Sequence, residues 1–477
     1  MFTGPDESTP VRDPVPERLT AVDLPHGVAA GDVTPRSAVV WTRSDGPATV
    51  HVEYSPDPTF SRSRCVNPVA VGEDTDCTAT VRLADLAPGR TYFYRVWALR
   101  GDGASRLFAA PGDATTGRFR TPPSPDADES VSFTWGGDTY GQGRMPPYQS
   151  FRAMEMLDPD FFLYEGDTIY ADCESPALPD GNPETVADYR AKYREMRERG
   201  THLRSLLETT SVVSIWDDHE VGNDWAGTVE PRLPAARRAF TEYWPVDDHP
   251  SVTGEDARRL YRSFRWGAAA ELFILDTRQY RDDNAMADGP EKTMLGDDQR
   301  EWLKESLAGT DATFALVAST TSLASVSSGA DERDSWASGG SETGFEHELR
   351  DIVDFVAENV ESTVVWLTGD RHFARFLSYD LDDDGDPEMY EALASPIGAA
   401  PRDPSDYDPD ETFSPTVHYE EGGKYEGGEF YNFGYAVANT DALELGFHDK
   451  FGEQRCAVRI EPDADDPLSV NRRHDGG

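Results

Sequence analysis

Two hydrophobic periods divide the chain. From about residue 23 to 121 short segments alternate apolar and polar positions, as in Ser37–Arg43 and Thr49–Tyr54, between turns rich in Gly, Pro and Asp. That is the pattern of half-buried strands. From about residue 130 apolar runs that read as strands, Val131–Trp135, Phe161–Tyr164, Ser211–Trp216, Leu272–Leu275, Phe314–Ala318 and Val364–Leu367, alternate with helix-like stretches. The helix-like stretches are Tyr148–Leu157, Val186–Arg199, Asp297–Ala308 and Gly344–Val360. This alternation predicts an α/β domain. Four of its strands run directly into clusters of chemically active side chains, where ligands of such folds bind.

The pattern gives five segments: an extended tail over 1–22, a β-sandwich over 23–121, a Pro-rich acidic linker over 122–129, the α/β domain over 130–462, and a polar tail over 463–477. The Pro88–Gly89 turn before the aromatic run Tyr92–Trp97 resembles a corner of fibronectin-type and immunoglobulin-like sandwiches.

Charge changes this picture. Asp and Glu number 89 against 44 Lys and Arg, a net charge of −45, and Lys occurs only at Lys192, Lys292, Lys304, Lys424 and Lys450. The acids are spread along the whole chain, which points to adaptation to high salt rather than to an acidic interaction tail. At molar salt the screening length is about 3 Å, so self-repulsion largely vanishes. The composition resembles that of haloarchaeal proteins. With no basic stripe, sequence-specific nucleic-acid binding is not expected. No apolar run reaches the roughly 18 residues of a membrane span, and the N-terminal residues lack a signal pattern. The expectation is a soluble protein, cytoplasmic or secreted with its signal already removed. Among four cysteines, Cys65 and Cys77 flank one strand region, a spacing that suits a disulfide or two free thiols.

Four motifs carry the candidate chemistry. WGGDTYGQ (Trp135–Gln142) ends a strand in glycines and Asp138; it reads as a close approach to an ion or as a turn whose Asp caps a helix. EGDTIY (Glu165–Tyr170) delivers Asp167, whose two oxygens suit a bridge between cations, and Tyr170, which suits a hard trivalent ion. IWDDHEVGND (Ile215–Asp224) crowds Asp217, Asp218, His219, Glu220 and Asn223 after a β-branched strand. LTGDRHF (Leu367–Phe373) sets Asp370 and His372 two apart across a turn, with Arg371 suited to a phosphate oxygen or a neighbouring carboxylate. A fifth segment, Leu275–Arg281, carries Asp276 and Arg278, which read equally as an internal ion pair or as a phosphate contact.

Strand-GD and strand-GDxH with an acidic DDHE between them resemble the layout of calcineurin-like metallophosphoesterases. GDTIY, WDDHEVxN, LDTRQYR and GDRHF together, with HGVAAGD (His26–Asp32) and VWTR (Val40–Arg43), resemble the alkaline phosphatase D, or PhoD-like, family from about residue 23 to the 430s. The resemblance implies an α/β sandwich of two sheets flanked by helices behind an immunoglobulin- or fibronectin-like β-domain. It implies a phosphomonoesterase or phosphodiesterase with Fe(3+) and Ca(2+), acting on a small-molecule phosphate ester by in-line attack of a metal-activated hydroxide. By similarity Asp167, Tyr170, Asn223, Asp370 and His372 are ligands, joined by Asp217 and Asp218. The residue types themselves point to His219 as proton donor, oriented by Asp217 or Glu220, with Arg371 and Arg278 expected to hold phosphate. Asp138 stands where the well-known branch has Cys, which favours hard ions, including Mg(2+) or Mn(2+).

Two other readings compete. The alternative function is a non-catalytic, metal-stabilised cell-surface or binding protein; an acyl hydrolase is excluded by the missing GxSxG elbow. The run Asp380–Gly385, with Glu391 beyond it, fits the EF-hand pattern, but strand-like flanks and Pro387 predict a hairpin instead.

Overall fold

The computed structural model describes residues 19–101, 114–140, 146, 148–247, 259–327, 329–381, 385–462, 464 and 467–473. Gln142, Asp382 to Asp384, residues 1–18 of the N-terminal tail and residues 463, 465, 466 and 474–477 of the C-terminal one lie outside them.

A ten-stranded sheet forms the middle of the molecule. Its centre is three parallel strands, Val131–Gly136, Phe161–Glu165 and Ser211–Ile215. All three are nearly continuous apolar runs, as strands buried on both faces must be. Asn432–Ala438, Leu443–Asp449, Gln454–Ile460 and Leu468–Arg472 extend one side in antiparallel fashion. On the other side the sheet continues into the N-terminal region: Val212 pairs with Gly31, and Val28–Gly31, Ala38–Arg43 and Thr78–Leu83 follow.

The other N-terminal strands make a six-stranded sheet centred on Ala48–Ser55 and Thr91–Arg100. A core of Val28, Ala30, Val40 and Val81 from one sheet and Val50, Val52, Tyr94 and Val96 from the other lies between them. Tyr92 accepts the backbone N–H of Ala87 through its hydroxyl at 2.9 Å, tying down the corner before its strand. The sandwich is thus real, but one of its two sheets is shared with the rest of the molecule. Residues 122–129 are docked rather than free: Gly89 donates to Pro122 O at 2.9 Å and Ala268 to Ala127 O at 2.9 Å.

A seven-stranded sheet runs Arg262–Trp266, Ala270–Ile274, Phe314–Ser319, Thr363–Thr368, Met389–Ala394, Ala374–Tyr379, Pro415–Glu421. One apolar core joins it to the ten-stranded sheet: Phe161 stacks on Trp266 at 5.1 Å, and Trp135 donates to Ala392 O at 3.3 Å. Helices α1 (Gln149–Met156), α2 (Val186–Arg199), α3 (Thr201–Thr209) and α4 (Leu233–Tyr243) pack with the ten-stranded sheet, and α5 (Asp297–Gly309) and α6 (Glu346–Asn359) with the seven-stranded one. The sequence pattern identified α1, α2, α5 and α6. It missed α3 and α4, whose buried faces rest on a few residues, Leu203, Leu206 and Leu207 in α3 and Ala236, Ala239, Phe240 and Tyr243 in α4.

Cys65 is exposed, Cys77 is buried, and neither is bonded to the other. Glu391 is no calcium ligand: it sits within Met389–Ala394 and takes hydrogen bonds from Ser322, Leu323, Thr368 and Tyr379.

The joint between N-terminal strands and second sheet includes a buried ion pair. Arg262 donates to Asp32 Oδ1 at 2.8 Å with both side chains 3% exposed, and also to Ser214 O at 2.9 Å. Removing one partner strands a buried charge, so Asp32→Ala should lower the unfolding free energy by about 3–5 kcal/mol. Arg118→Ala, which breaks the exposed pair with Asp158, should cost under about 1 kcal/mol. Denaturant unfolding at constant high salt checks both.

Candidate metal centre

Three aspartates follow a glycine just past a strand end: Asp138 after Val131–Gly136, Asp167 after Phe161–Glu165 and Asp370 after Thr363–Thr368. All three hold left-handed backbone, with φ of 63°, 50° and 64°, and His372 does so at 64°. Such conformations cost on the order of 1–3 kcal/mol each and persist only where their surroundings fix them. The glycines allow the tips to meet: a Cβ at Gly137 would lie 2.4 Å from Glu165 O, and one at Gly166 2.4 Å from Asp217 Cβ. Backbone bonds complete the assembly, Thr139 donating to Asp167 O at 2.9 Å and Ala399 to Asp138 O at 2.8 Å.

The tips bring together a chain of acidic clusters, each with ligand atoms within 4.8 Å of one another: Asp138, Asp167 and His372; Asp167, Asp218 and His219; Asp217, Asp218 and Asp370; and Asp218, Asp224 and Asp334. Asp167 belongs to two clusters and Asp218 to three. Asp138 Oδ1, Asp167 Oδ2 and Asp218 Oδ1 are buried with no hydrogen-bond partner. His372 Nδ1 lies 2.8 Å from Ala400 O, which fixes the proton there and turns the Nε2 lone pair toward Asp138 Oδ1 at 3.0 Å and the Tyr170 hydroxyl at 3.3 Å. Orphaned carboxylate oxygens converging with an imidazole lone pair and a phenol fit a bound hard cation. Asn223 is exposed and tied to the site by its backbone N–H, which donates to Asp172 Oδ2 at 2.7 Å.

Electrostatics agrees with the geometry. Burial, then the charges of Asp218 and Asp138, pushes the Asp167 carboxyl well above its usual range. Burial and Asp167 do the same to the Tyr170 phenol. Burial works against ionised Asp138; with no cation bound, the positive charge of a protonated His372 holds the carboxyl below its usual range, the place a bound cation would take. Asp217 is pushed up to about 8 by burial and the charge of Asp218, against the pull of Arg278. Burial opposes the His219 cation, but Asp218 and Asp172 raise its pKa to about 10.

Some assigned roles change. Arg278 is fully buried, donating to Asp217 Oδ1 at 2.6 Å and lying 3.4 Å from Asp334, so it braces carboxylates rather than meeting phosphate. Its backbone N–H, not its guanidinium, meets Asp276. Arg371 pairs with Asp370 and lies 3.8 Å from Asp334. Asp217 Oδ1 is taken by Arg278 and by Thr320 at 2.8 Å, which leaves Asp218 as the freer carboxylate. Neither Asp217 nor Glu220 orients His219: Glu220 accepts the N–H groups of Asp167, Thr168 and Asp217. The ring is held instead by Asp172, 2.7 Å from Nδ1, and stacks on Tyr170 at 4.1 Å.

Asp172 and Asp334 are the residues that sequence reasoning missed. Asp172 lies two places beyond Tyr170, within reach of the same motif. Asp334 comes from the Gly- and Ser-rich stretch 325–343, which offers no strand-end signal.

The family model described as PhoD-like phosphatase matches residues 133–446, and that of the PhoD-like phosphatase N-terminal domain matches residues 10–123. Alkaline phosphatase D of Bacillus subtilis (strain 168) is 27% identical over 391 residues, 72% of this chain and 64% of the relative. The chain thus spans a little under two thirds of that relative's length. A solved structure titled "Structure of PhoD" is similar in fold, with TM-score 0.75 and 21% identity over 94% of this chain and 92% of that one.

The unequal bonding of neighbouring aspartates separates two variants. Asp218→Ala should reduce the ions bound per chain, measured by elemental analysis, while preserving the fold. Asp217→Ala should cost about 3–5 kcal/mol of unfolding free energy by leaving Arg278 under-compensated in the interior.

Proposed function

We propose that this chain, which belongs to the PhoD-like phosphatase family, is a metal-dependent hydrolase of phosphate esters. The observation that carries the reading is the set of orphaned buried oxygens on Asp138, Asp167 and Asp218, facing His372 and Tyr170 at the strand ends. The two packed sheets support the metallophosphoesterase-type arrangement. The reading takes in both mono- and diesters of small molecules, and the salt-adapted composition agrees with a haloarchaeal source.

Asp138, Asp167, Tyr170 and His372 would hold one cation; Asp167, Asp218 and Asp370, with Asn223, would hold the next. Fe(3+) with Ca(2+) follows from the family resemblance, and the oxygen-rich donor set equally suits Mg(2+) or Mn(2+). When bound, such cations neutralise phosphate oxygens and activate a water nucleophile.

The chain's own residues do the rest. His219 Nε2 lies 4.0 Å from Asp167 Oδ2, at the edge of the cluster, and donates the proton that the departing alkoxide needs. Asp172 holds Nδ1, so the ring presents Nε2 to the centre. Arg278, Arg371 and Asp334 form the charged floor that fixes Asp217 and Asp370.

Chelation should abolish hydrolysis of p-nitrophenyl phosphate esters at high salt, with activity returning on metal addition. Turnover that survives complete removal of metal would overturn the reading. His219→Ala should slow alkyl esters by roughly 100-fold or more. It should slow p-nitrophenyl esters far less, because p-nitrophenolate leaves without a proton. Equal losses on both substrates would remove the proton-donor role.

A further inference from the structure

We propose a separate metal site on the outer side of His219, suited to a thiophilic divalent cation such as zinc, whose occupation inhibits the enzyme. Its residues are Asp172, Cys173 and His219, which offer a carboxylate oxygen, a thiol sulfur and a ring nitrogen all within 4.8 Å of one another. The inhibition, though not the binding, rests on the reading of His219 as proton donor.

The donor set distinguishes this place from the inner clusters. Those gather Asp, His and Tyr, a hard, oxygen-rich environment. Here sulfur, nitrogen and oxygen meet, the mixture that zinc prefers over calcium or magnesium. Ligand atoms around a tetrahedral zinc stand roughly 3.3–3.8 Å apart, judging from its bond lengths. The three ligand atoms lie within 4.8 Å of one another, with Asp172 Oδ1 2.7 Å from His219 Nδ1, so side-chain rotation would set them around the ion. All three are half-buried, which leaves a coordination position for water, as in three-ligand zinc sites.

The framework is already built. Ala171 donates to His219 O at 2.8 Å, and Asp172 accepts from Asn223 N at 2.7 Å, so the two loops are joined beside the site. Lys192 anchors the cysteine's backbone, donating to Cys173 O at 2.5 Å and to Ser175 Oγ at 3.0 Å. The thiol itself is hydrogen-bonded with the Tyr140 hydroxyl. Cys173 belongs to none of the inner clusters, so the proposed mechanism leaves it without a task. His219 stands between the two environments, with Nε2 toward Asp167 and Nδ1 toward Asp172. A cation on the outer side replaces the Nδ1–H···Asp172 bond that aims the ring.

The test uses the full chain loaded with its own catalytic cations. Zinc should inhibit hydrolysis of an alkyl phosphate ester, and cadmium should add a thiolate-to-metal absorption band. Cys173→Ser and Cys173→Ala should keep the zinc-free rate, lose the cadmium band, and raise the half-inhibitory zinc concentration about tenfold or more. Inhibition of both variants at the wild-type zinc concentration would overturn the proposal, since zinc would then be displacing the catalytic ions. A cadmium band unchanged in the variants would also overturn it, assigning the band to another cysteine such as the exposed Cys65. The band is read without turnover, so a failure of the site is distinguishable from a failure of the proton-donor reading.

Discussion

Like charges crowded into a buried space must be compensated, and that constraint shapes the centre of this molecule. Asp138, Asp167, Asp217, Asp218 and Asp334 are all buried at the tips of two sheets, with Asp370 beside them. Two like charges 4 Å apart repel by about 4 kcal/mol at an effective dielectric of 20. The chain's own cations are distributed unevenly among these acids. Arg278 and Arg371 lie against Asp217, Asp334 and Asp370. Asp138 and Asp167 face histidines, Asp218 has Arg278 no nearer than 4.0 Å, and each of the three keeps one oxygen without a hydrogen-bond partner. One flank is neutralised permanently; the other calls for charge from outside the chain. The same division explains why adjacent aspartates in one motif differ: Asp217 is part of the floor and Asp218 of the opening.

Holding such a cluster together requires a rigid surround. Glu220 gathers three backbone N–H groups from the Asp167 and Asp217 loops, so one carboxylate fixes both strand ends. The N-terminal strands contribute as well, because they continue the central sheet rather than hang from it. Arg197 lies between Trp41, from those strands, and Trp244 after α4, at 4.6 and 4.5 Å from the ring centroids. With the Asp32–Arg262 pair, these contacts make the sandwich part of the support of the active centre.

The alternation of apolar runs was sufficient to locate the central strands and four of the six described α-helices. Helix α3 escaped notice because it follows Gly200 without a loop, whereas α4 carries a regular buried face of Leu233, Ala236, Ala239, Phe240 and Tyr243 that was legible and was passed over. The site was legible wherever a glycine and an acid end a strand. What the sequence does not encode is direction. Whether Arg278 faces substrate or floor, and whether Asp172 or Asp217 aims His219, depends on contacts between residues some fifty to sixty positions apart. Asp334 is the extreme case, since its partners come from two other segments of the seven-stranded half.

The donor types gathered at the inner centre have a consequence for the rest of the site. Among the described residues, the inner clusters contain oxygen and imidazole donors only, while sulfur next to the centre occurs in Cys173, on the far side of the His219 ring. Hard and soft donors are therefore separated by one side chain. An inner site without sulfur gives up its preference for soft ions, which protects it from ions that would bind too tightly. The outer thiol is half-buried, whereas the carboxylates of Asp138, Asp167 and Asp218 are buried. The ring of His219 stands between the two donor sets, and its hydrogen bond to Asp172 fixes which nitrogen faces each of them.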